Sequence, residues 1–270
     1  MHYRSITRDN ATLQIVRSLK DNRQKRAKRK QIFVEGVAPL TAAVGARLRA
    51  DLALVPAGRP RSGWADDTIA ALDPPELYEV DAELFAGLSD REDPSQLIAV
   101  LQTPTRSLPR VAPDAAIAIV DRPANPGNLG SLIRSANGFG IASVVSTGHG
   151  ADLYDPVTIR ASRGAVFATP VVHEPSIKVL LDWIAAERAR LPRLRLIGTD
   201  STGALSIAVA DPRPPIIVVF GNEATGLSQT LSEVVDEIVR IDLRGTVDSL
   251  NLACAASVVF YAITGARAPG

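Results

Sequence analysis

Three short segments in the second half of the chain hold polar residues whose types and spacing could do chemistry. The first is Asp121-Arg-Pro-Ala-Asn-Pro-Gly-Asn-Leu-Gly-Ser-Leu-Ile-Arg-Ser-Ala-Asn-Gly-Phe-Gly140. Its opening is turn chemistry, with Asn125-Pro126 and Gly127-Asn128 bending the chain before helical spacing starts at Leu129, so that Asn128 stands where an N-cap belongs. Arg134 follows six residues later, a little under two turns, and the pair need not share a face. The second segment, Val218-Val-Phe-Gly-Asn-Glu-Ala-Thr-Gly-Leu-Ser228, leaves an apolar run through Gly221 and Gly226, glycines that let a ligand approach the backbone, with the acid Glu223 beside them. The third, Ile241-Asp-Leu-Arg-Gly-Thr-Val-Asp-Ser-Leu-Asn-Leu252, sets Ser249 and Asn251 at the entrance of an apolar helix. Taken singly, Arg134 reads as a surface residue of an amphipathic helix and Ser249 as a helix cap.

Other chemistries are poorly provided for. No strand is followed by Gly-x-Gly-x-x-Gly, and no Gly-Lys-Ser/Thr phosphate loop occurs. The three histidines, His2, His149 and His173, are scattered, and only His149 is plausibly placed for a nucleophilic triad, which makes hydrolase chemistry a poor fit. With the single Cys254 they assemble neither a metal site nor a disulfide framework, and Cys254, inside the apolar run Leu252 to Ala262, is expected to be buried.

The elements that must position these segments alternate. Ala115–Val120 is a continuous apolar run of the kind found in strands buried on both faces of a parallel sheet, and Ser143–Ser146, Leu194–Gly198, Ile216–Phe220 and Ile238–Leu243 repeat it, with a final helix from Leu250 to Thr264. A mostly parallel α/β sheet with helices on both faces binds ligands beyond the carboxyl ends of its strands, which points to the loops after Val120, Gly198, Phe220 and Leu243. Upstream, Ile32–Val34, Leu52–Val55, Leu77–Val80 and Leu97–Leu101 read as strands, with helical stretches around Ala38–Leu48, Asp67–Leu72 and Ala82–Leu88, forming a smaller α/β unit. A proline-punctuated stretch, 103–114, divides the chain into 1–102 and 115–270 and is read as a linker.

Charge is unevenly spread. The net +1 hides a balance of +8 over residues 1–30, where Asn10 can cap a helix carrying Leu13, Val16 and Leu19 that runs on into Arg23, Lys25, Arg26, Lys28, Arg29 and Lys30. Such a block neutralises phosphates or simply solvates a helix face. No apolar run reaches the ~18 residues needed to cross a bilayer, and the polar start lacks a signal sequence, so a cytoplasmic protein without membrane partners is expected.

In order and separation, the three segments resemble the signature motifs of the SpoU/TrmH family of RNA ribose methyltransferases. Asn125-Pro-Gly-Asn-Leu-Gly with Ile133-Arg-Ser-Ala136 is similar to the first motif, Phe220-Gly-Asn-Glu-Ala-Thr-Gly-Leu227 to the second, and Ile241-Asp-Leu243 with Asp248-Ser-Leu-Asn-Leu-Ala253 to the third. The resemblance spans about 115 to 266, and Lys20 to Gly36 is similar to the start of the family's ribosomal-protein-like substrate-binding domain. Arg160-Ala-Ser-Arg-Gly-Ala-Val-Phe167 resembles members that methylate large-subunit ribosomal RNA, including antibiotic-resistance enzymes.

The resemblance implies an S-adenosylmethionine-dependent RNA 2′-O-methyltransferase with a trefoil-knotted catalytic domain, working as a homodimer, with ribosomal RNA favoured over transfer RNA. A non-catalytic knotted RNA-binding protein is the rival, and retention of every polar motif position speaks against it. By the same resemblance, Asn128, Arg134, Glu223, Ser249 and Asn251 are the active-site residues, and Thr199, Gly221, Asn222, Glu223, Ile241, Leu243, Ser249 and Leu250 hold the methyl donor. Arg163 joins the basic block in holding RNA. Arg134 is implied to act as general base or, since a guanidinium stays protonated, to orient a phosphate and steady the developing alkoxide. Two departures stand out: Asp242 occupies a place where proline is common, and Leu252 one where valine is.

Overall fold

A computed structural model of the chain describes residues 3–89, 91, 94–210 and 212–265. They form two compact units, the first made of 1–105 and 154–168, the second of 106–153 and 169–270.

The first unit opens with β1 (Arg4–Ile6), α1 (Ala11–Asp21) and α2 (Arg23–Arg29). Asn10 caps α1 by accepting a hydrogen bond from the Leu13 amide, and Leu13, Val16 and Leu19 are fully buried in the core. The helix expected to run unbroken into the basic block stops at Asn22. That residue's extended backbone ends α1, while its side chain accepts from the Lys25 amide and starts α2. Then come β2 (Gln31–Glu35), α3 (Val37–Gly45), β3 (Ala50–Pro56), α4 (Gly63–Leu72), β4 (Glu76–Val80), α5 (Ala82–Ala86) and β5 (Ile98–Gln102). The sheet runs β1-β4-β3-β5-β2, with β5 antiparallel to both its neighbours.

The second unit begins with β6 (Ala116–Asp121), α6 (Pro126–Gly138) and β7 (Ser143–Thr147). The chain then returns to the first unit for α7 (Pro156–Ala161) and α8 (Ala165–Ala168), where α7 meets β2 and α8 meets α3. Gly164, between them, lies so close to α3 that a Cβ there would stand 2.7 Å from the Ala42 methyl and 2.8 Å from the Pro39 Cα. The second unit resumes with β8 (Val171–Glu174), α9 (Ile177–Arg190), β9 (Arg195–Thr199), β10 (Leu205–Ser206), β11 (Ile216–Phe220), α10 (Gln229–Ser232), β12 (Glu237–Arg240) and α11 (Leu252–Gly265). Its seven strands, ordered β10-β12-β9-β11-β6-β7-β8, are all parallel, and β6 and β11 are buried throughout.

The structure differs from the sequence reading in further places, beginning with the short strands β1, β8 and β10, which that reading did not name. The segment 103–114 is not a free linker, because the first unit ends at Thr105 and Val111 is fully buried in the second unit's core, its amide donating to Glu187 over 3.0 Å. The last strand stops at Arg240, and Ile241 to Leu243 follow it outside any strand. Asn125, not Asn128, caps α6: its side chain accepts from the Asn128 amide, with Pro126 opening the helix. Cys254 is exposed rather than buried, since α11 turns Leu252, Ala253, Ala256, Val259, Phe260 and Ile263 inward and leaves Cys254, Val258 and Tyr261 as a second stripe outside.

Candidate active site

At the carboxyl ends of β6, β9, β11 and β12, the loops of the second unit enclose a cavity of about 620 Å³, within the range of small-ligand sites. Thr199 to Ser201 form one wall, Phe220 to Gly226 another, and Val239, Ile241, Leu243 and Asp248 to Leu252 a third, with Asn128 from α6 at the edge. Of the residues expected around the methyl donor, Thr199, Gly221, Asn222, Glu223, Ile241, Leu243, Ser249 and Leu250 all line it.

The three motif loops are joined by one hydrogen-bonded chain. Glu223 accepts from the backbone amides of Ala124 at 2.9 Å and Asn125 at 3.2 Å, and from the Asn128 side-chain amide at 3.1 Å. Asn128 in turn accepts from the Asn251 amide at 2.8 Å, and Asn251 caps α11 by accepting from Ala253 N at 2.9 Å. Thus Asn251, rather than Ser249, starts the final helix. Burial pushes the Glu223 carboxyl up, but the hydrogen bonds from Ala124, Asn128, its own backbone and Asn125 outweigh it and hold the group below its ordinary range.

Part of the expected donor set has a structural task. The Asn222 side chain donates to Arg122 O at 2.7 Å and accepts from the Ala224 and Thr225 amides, while its backbone exchanges two hydrogen bonds with Gly226, folding the second loop onto itself. Gly221 serves that fold as well: a Cβ there would stand 2.3 Å from Gly226 C and 2.4 Å from Leu227 N, so the atoms needing the space are the loop's own backbone. The Thr199 hydroxyl donates to Val219 O at 3.1 Å across the sheet. These side chains shape the cavity and leave its backbone and apolar surfaces to a ligand.

Arg134 is not in the cavity. It lies on the exposed face of α6, six residues from Asn128, and six steps of about 100° put the two some 120° apart. Sequence reasoning missed Asp200 and Ser201 at the end of β9, which line the cavity, although their place directly after a buried strand was a sufficient signal. It also missed Asp121, 2% exposed, which grips Arg122 through two contacts of 3.1 Å and accepts from Ser228 N at 2.8 Å, pinning the first loop to the second.

Among the residues expected to hold RNA, Arg23, Lys25, Lys28, Arg29 and Lys30 are exposed along α2 and its end, and Arg163 is exposed beside Gly164. Arg26 must be removed from the set. It is 4% exposed and donates to Leu19 O at 2.9 Å, Lys20 O at 2.8 Å and Asp155 at 3.2 Å, holding α1, α2 and the start of α7 together.

Residues 115–261 match the SpoU rRNA Methylase family and residues 10–99 the SpoU L30e-like domain. The chain is 34% identical over 270 residues to a 23S rRNA (uridine(2479)-2′-O)-methyltransferase of Streptomyces viridochromogenes, covering 99% of this chain and 94% of the relative. It is 28% identical over 190 residues to the 23S rRNA (guanosine(2553)-2′-O)-methyltransferase RlmP of Bacillus subtilis, covering 70% of this chain and 73% of that one. The crystal structure of the SpoU methyltransferase AviRb from S. viridochromogenes in complex with AdoMet superposes with a TM-score of 0.91 at 34% identity, over 97% of this chain and 100% of that one.

Proposed function

The chain belongs to the SpoU rRNA methylase family, and from that membership we propose that it methylates a ribose 2′-hydroxyl of 23S ribosomal RNA. It is an S-adenosylmethionine-dependent RNA 2′-O-methyltransferase. The observation that carries the site assignment is the chain Glu223, Asn128, Asn251, which gathers all three motif loops at the mouth of one cavity of suitable size.

The cavity suits a donor that is cationic at sulfur: its walls combine backbone and small residues, the apolar Phe220, Ile241, Leu243 and Leu250, the carboxylates Asp200, Glu223 and Asp248, and amide and hydroxyl groups. When bound, the donor supplies an electrophilic methyl group. Every other task falls to protein and RNA. Ser249, on the cavity wall, offers a hydroxyl to the ribose, and the Asn128 and Asn251 amides, fixed by Glu223, are held rigid for the same purpose. Arg134, outside the donor cavity and exposed, meets RNA: it orients a phosphate that takes the hydroxyl proton and steadies the alkoxide as it forms.

The same reading includes the trefoil knot, the homodimer and the cytoplasm. Support for the homodimer comes from the outer stripe of α11, where Val258 is 40% and Tyr261 66% exposed beside Cys254, an apolar strip a lone protomer would leave in water. No helix among the described residues is long and apolar enough to cross a membrane. RNA is held by Arg23, Lys25, Lys28, Arg29 and Lys30, with Arg163 as a further contact.

The test supplies labelled donor with purified 23S ribosomal RNA and, separately, transfer RNA, and maps the product by arrested reverse transcription. A single ribose-methylated stop in 23S RNA is expected. Label only in transfer RNA would overturn the substrate, and a modified base would overturn the site chemistry.

A further inference from the structure

From β12 onward, alternate residues line the cavity. Val239, Ile241 and Leu243 line the cavity, whereas Arg240 and Asp242 do not. The two that do not are hydrogen-bonded to each other and to the turn that follows β9. Arg240 Nε donates to Asp242 Oδ1 at 3.0 Å, and Arg240 Nη1 donates to the carbonyls of Gly203 at 2.9 Å and Ala204 at 2.8 Å. The Ser206 hydroxyl donates to Asp242 Oδ2. Backbone bonds run alongside, from Asp200 N to Val239 O at 3.0 Å and from Ile207 N to Arg240 O at 2.8 Å, and Ser206 stands opposite Arg240 in the β10 and β12 register.

Two walls of the cavity, the turn carrying Asp200 and Ser201 and the segment carrying Ile241 and Leu243, are therefore fastened together from behind. The Asp242 side chain accepts from both strand ends, Ser206 on β10 and Arg240 on β12. Among the described residues the β12 ladder ends at Arg240, and this carboxylate takes over where it stops.

We infer that Arg240, Asp242 and Ser206 form a polar clamp that positions Ile241 and Leu243 and thereby sets the affinity for the methyl donor. Asp242, outside the cavity lining, is a positioning residue. The inference rests on the donor assignment above and deepens it: the clamp decides how well the cavity is formed before any ligand arrives, since a wall ordered in advance leaves less entropy to be lost on binding.

The experiment compares wild type, Asp242→Asn, Ser206→Ala and the double variant by calorimetry with S-adenosylmethionine and by amide hydrogen exchange without it. In Asp242→Asn, amides of 243–250 should exchange faster in the donor-free protein, and the donor dissociation constant should rise by about tenfold, the scale of one charge-assisted hydrogen bond. At saturating donor, turnover should stay within about twofold, so that the loss falls on the donor KM and not on kcat. Ser206→Ala should show a smaller change of the same kind, and the double variant no more than Asp242→Asn alone, because the residues act as one unit. Should Asp242→Asn fail to fold, the Ser206→Ala exchange and affinity decide. Unchanged exchange with donor affinity within twofold of wild type would overturn the clamp. Wild type that binds no donor would instead overturn the donor assignment, while the exchange comparison would still judge the clamp.

Discussion

Among single residues, the site divides into groups that fix its geometry and Arg134, which is exposed outside the cavity and is proposed to meet RNA. Arg134→Ala should lower single-turnover methyl transfer by a factor of ~10² or more, the contribution of a typical general-base or oxyanion group, while calorimetric donor binding is preserved, because the arginine lies outside the cavity. Donor binding lost together with turnover would place Arg134 among the cavity's supports. Glu223 behaves differently. Its carboxyl is held below the ordinary range, so its contribution is complete above the unfolded value of about 4.3 and is lost as pH falls through the lower folded value. Glu223→Gln should accordingly be less stable than wild type in thermal melts at neutral pH, and the gap should close in acid. A gap that widens below pH 4 would mean that the carboxylate does not join the loops. The motif residues could be read from the sequence because their order and spacing are distinctive, yet Arg26 could not be told from its basic neighbours. Its burial depends on Asp155, 129 positions away, and on the break at Asn22 that turns α2 back on α1.

Among the elements, the long apolar strands were legible, whereas the short strands β1, β8 and β10 and the joints were not. Buried parallel strands announce themselves as apolar runs, and Ile216–Phe220 was placed to the residue. Helix ends failed where a cap competes with periodicity, as at Asn125, and α11 misled because its outer stripe is as apolar as its inner one. Two predictions belong here. Arg26→Met should destabilise the first unit by about 2 kcal/mol or more, since two helix carbonyls lose a charged donor, whereas replacing Lys25, Lys28 and Arg29 by glutamine should leave the melt unchanged and flatten the salt dependence of RNA binding by about 0.7 per lost phosphate contact. A slope equal to that of wild type would return α2 to the role of a solvated helix. Gly221→Ala, one methyl group, should suffice to abolish donor binding, because the added carbon meets Gly226 and Leu227 and the second loop has to open. Normal donor affinity in that variant would show that the loop tolerates the opening.

For the whole molecule, the parallel sheet and the two-part organisation were readable, and the division between the parts was not, because a proline-rich stretch marks a linker only when nothing covers it. Here Val111 is covered, and the Trp183 indole donates to Pro109 O at 2.8 Å. The proposed homodimer gives a further prediction: Val258→Asp with Tyr261→Asp should shift sedimentation from dimer to monomer without unfolding, since both side chains are exposed in the single chain. A dimer that survives both charges would move the interface elsewhere. The return of 154–168 to the first unit also bears on how the protein is made. Synthesis runs from the amino end, yet the surface of α3 around Ala42 stays bare until Gly164 and Ala168 arrive, and Ala168 follows Thr105 by 63 residues. At ~5–20 residues per second this is a delay of roughly 3–13 s, in which the first unit stands on the ribosome with a missing piece. The first unit is therefore complete only once residues 154–168, at the start of the carboxyl-terminal half, have been translated, and a chain released at residue 105 lacks α7 and α8.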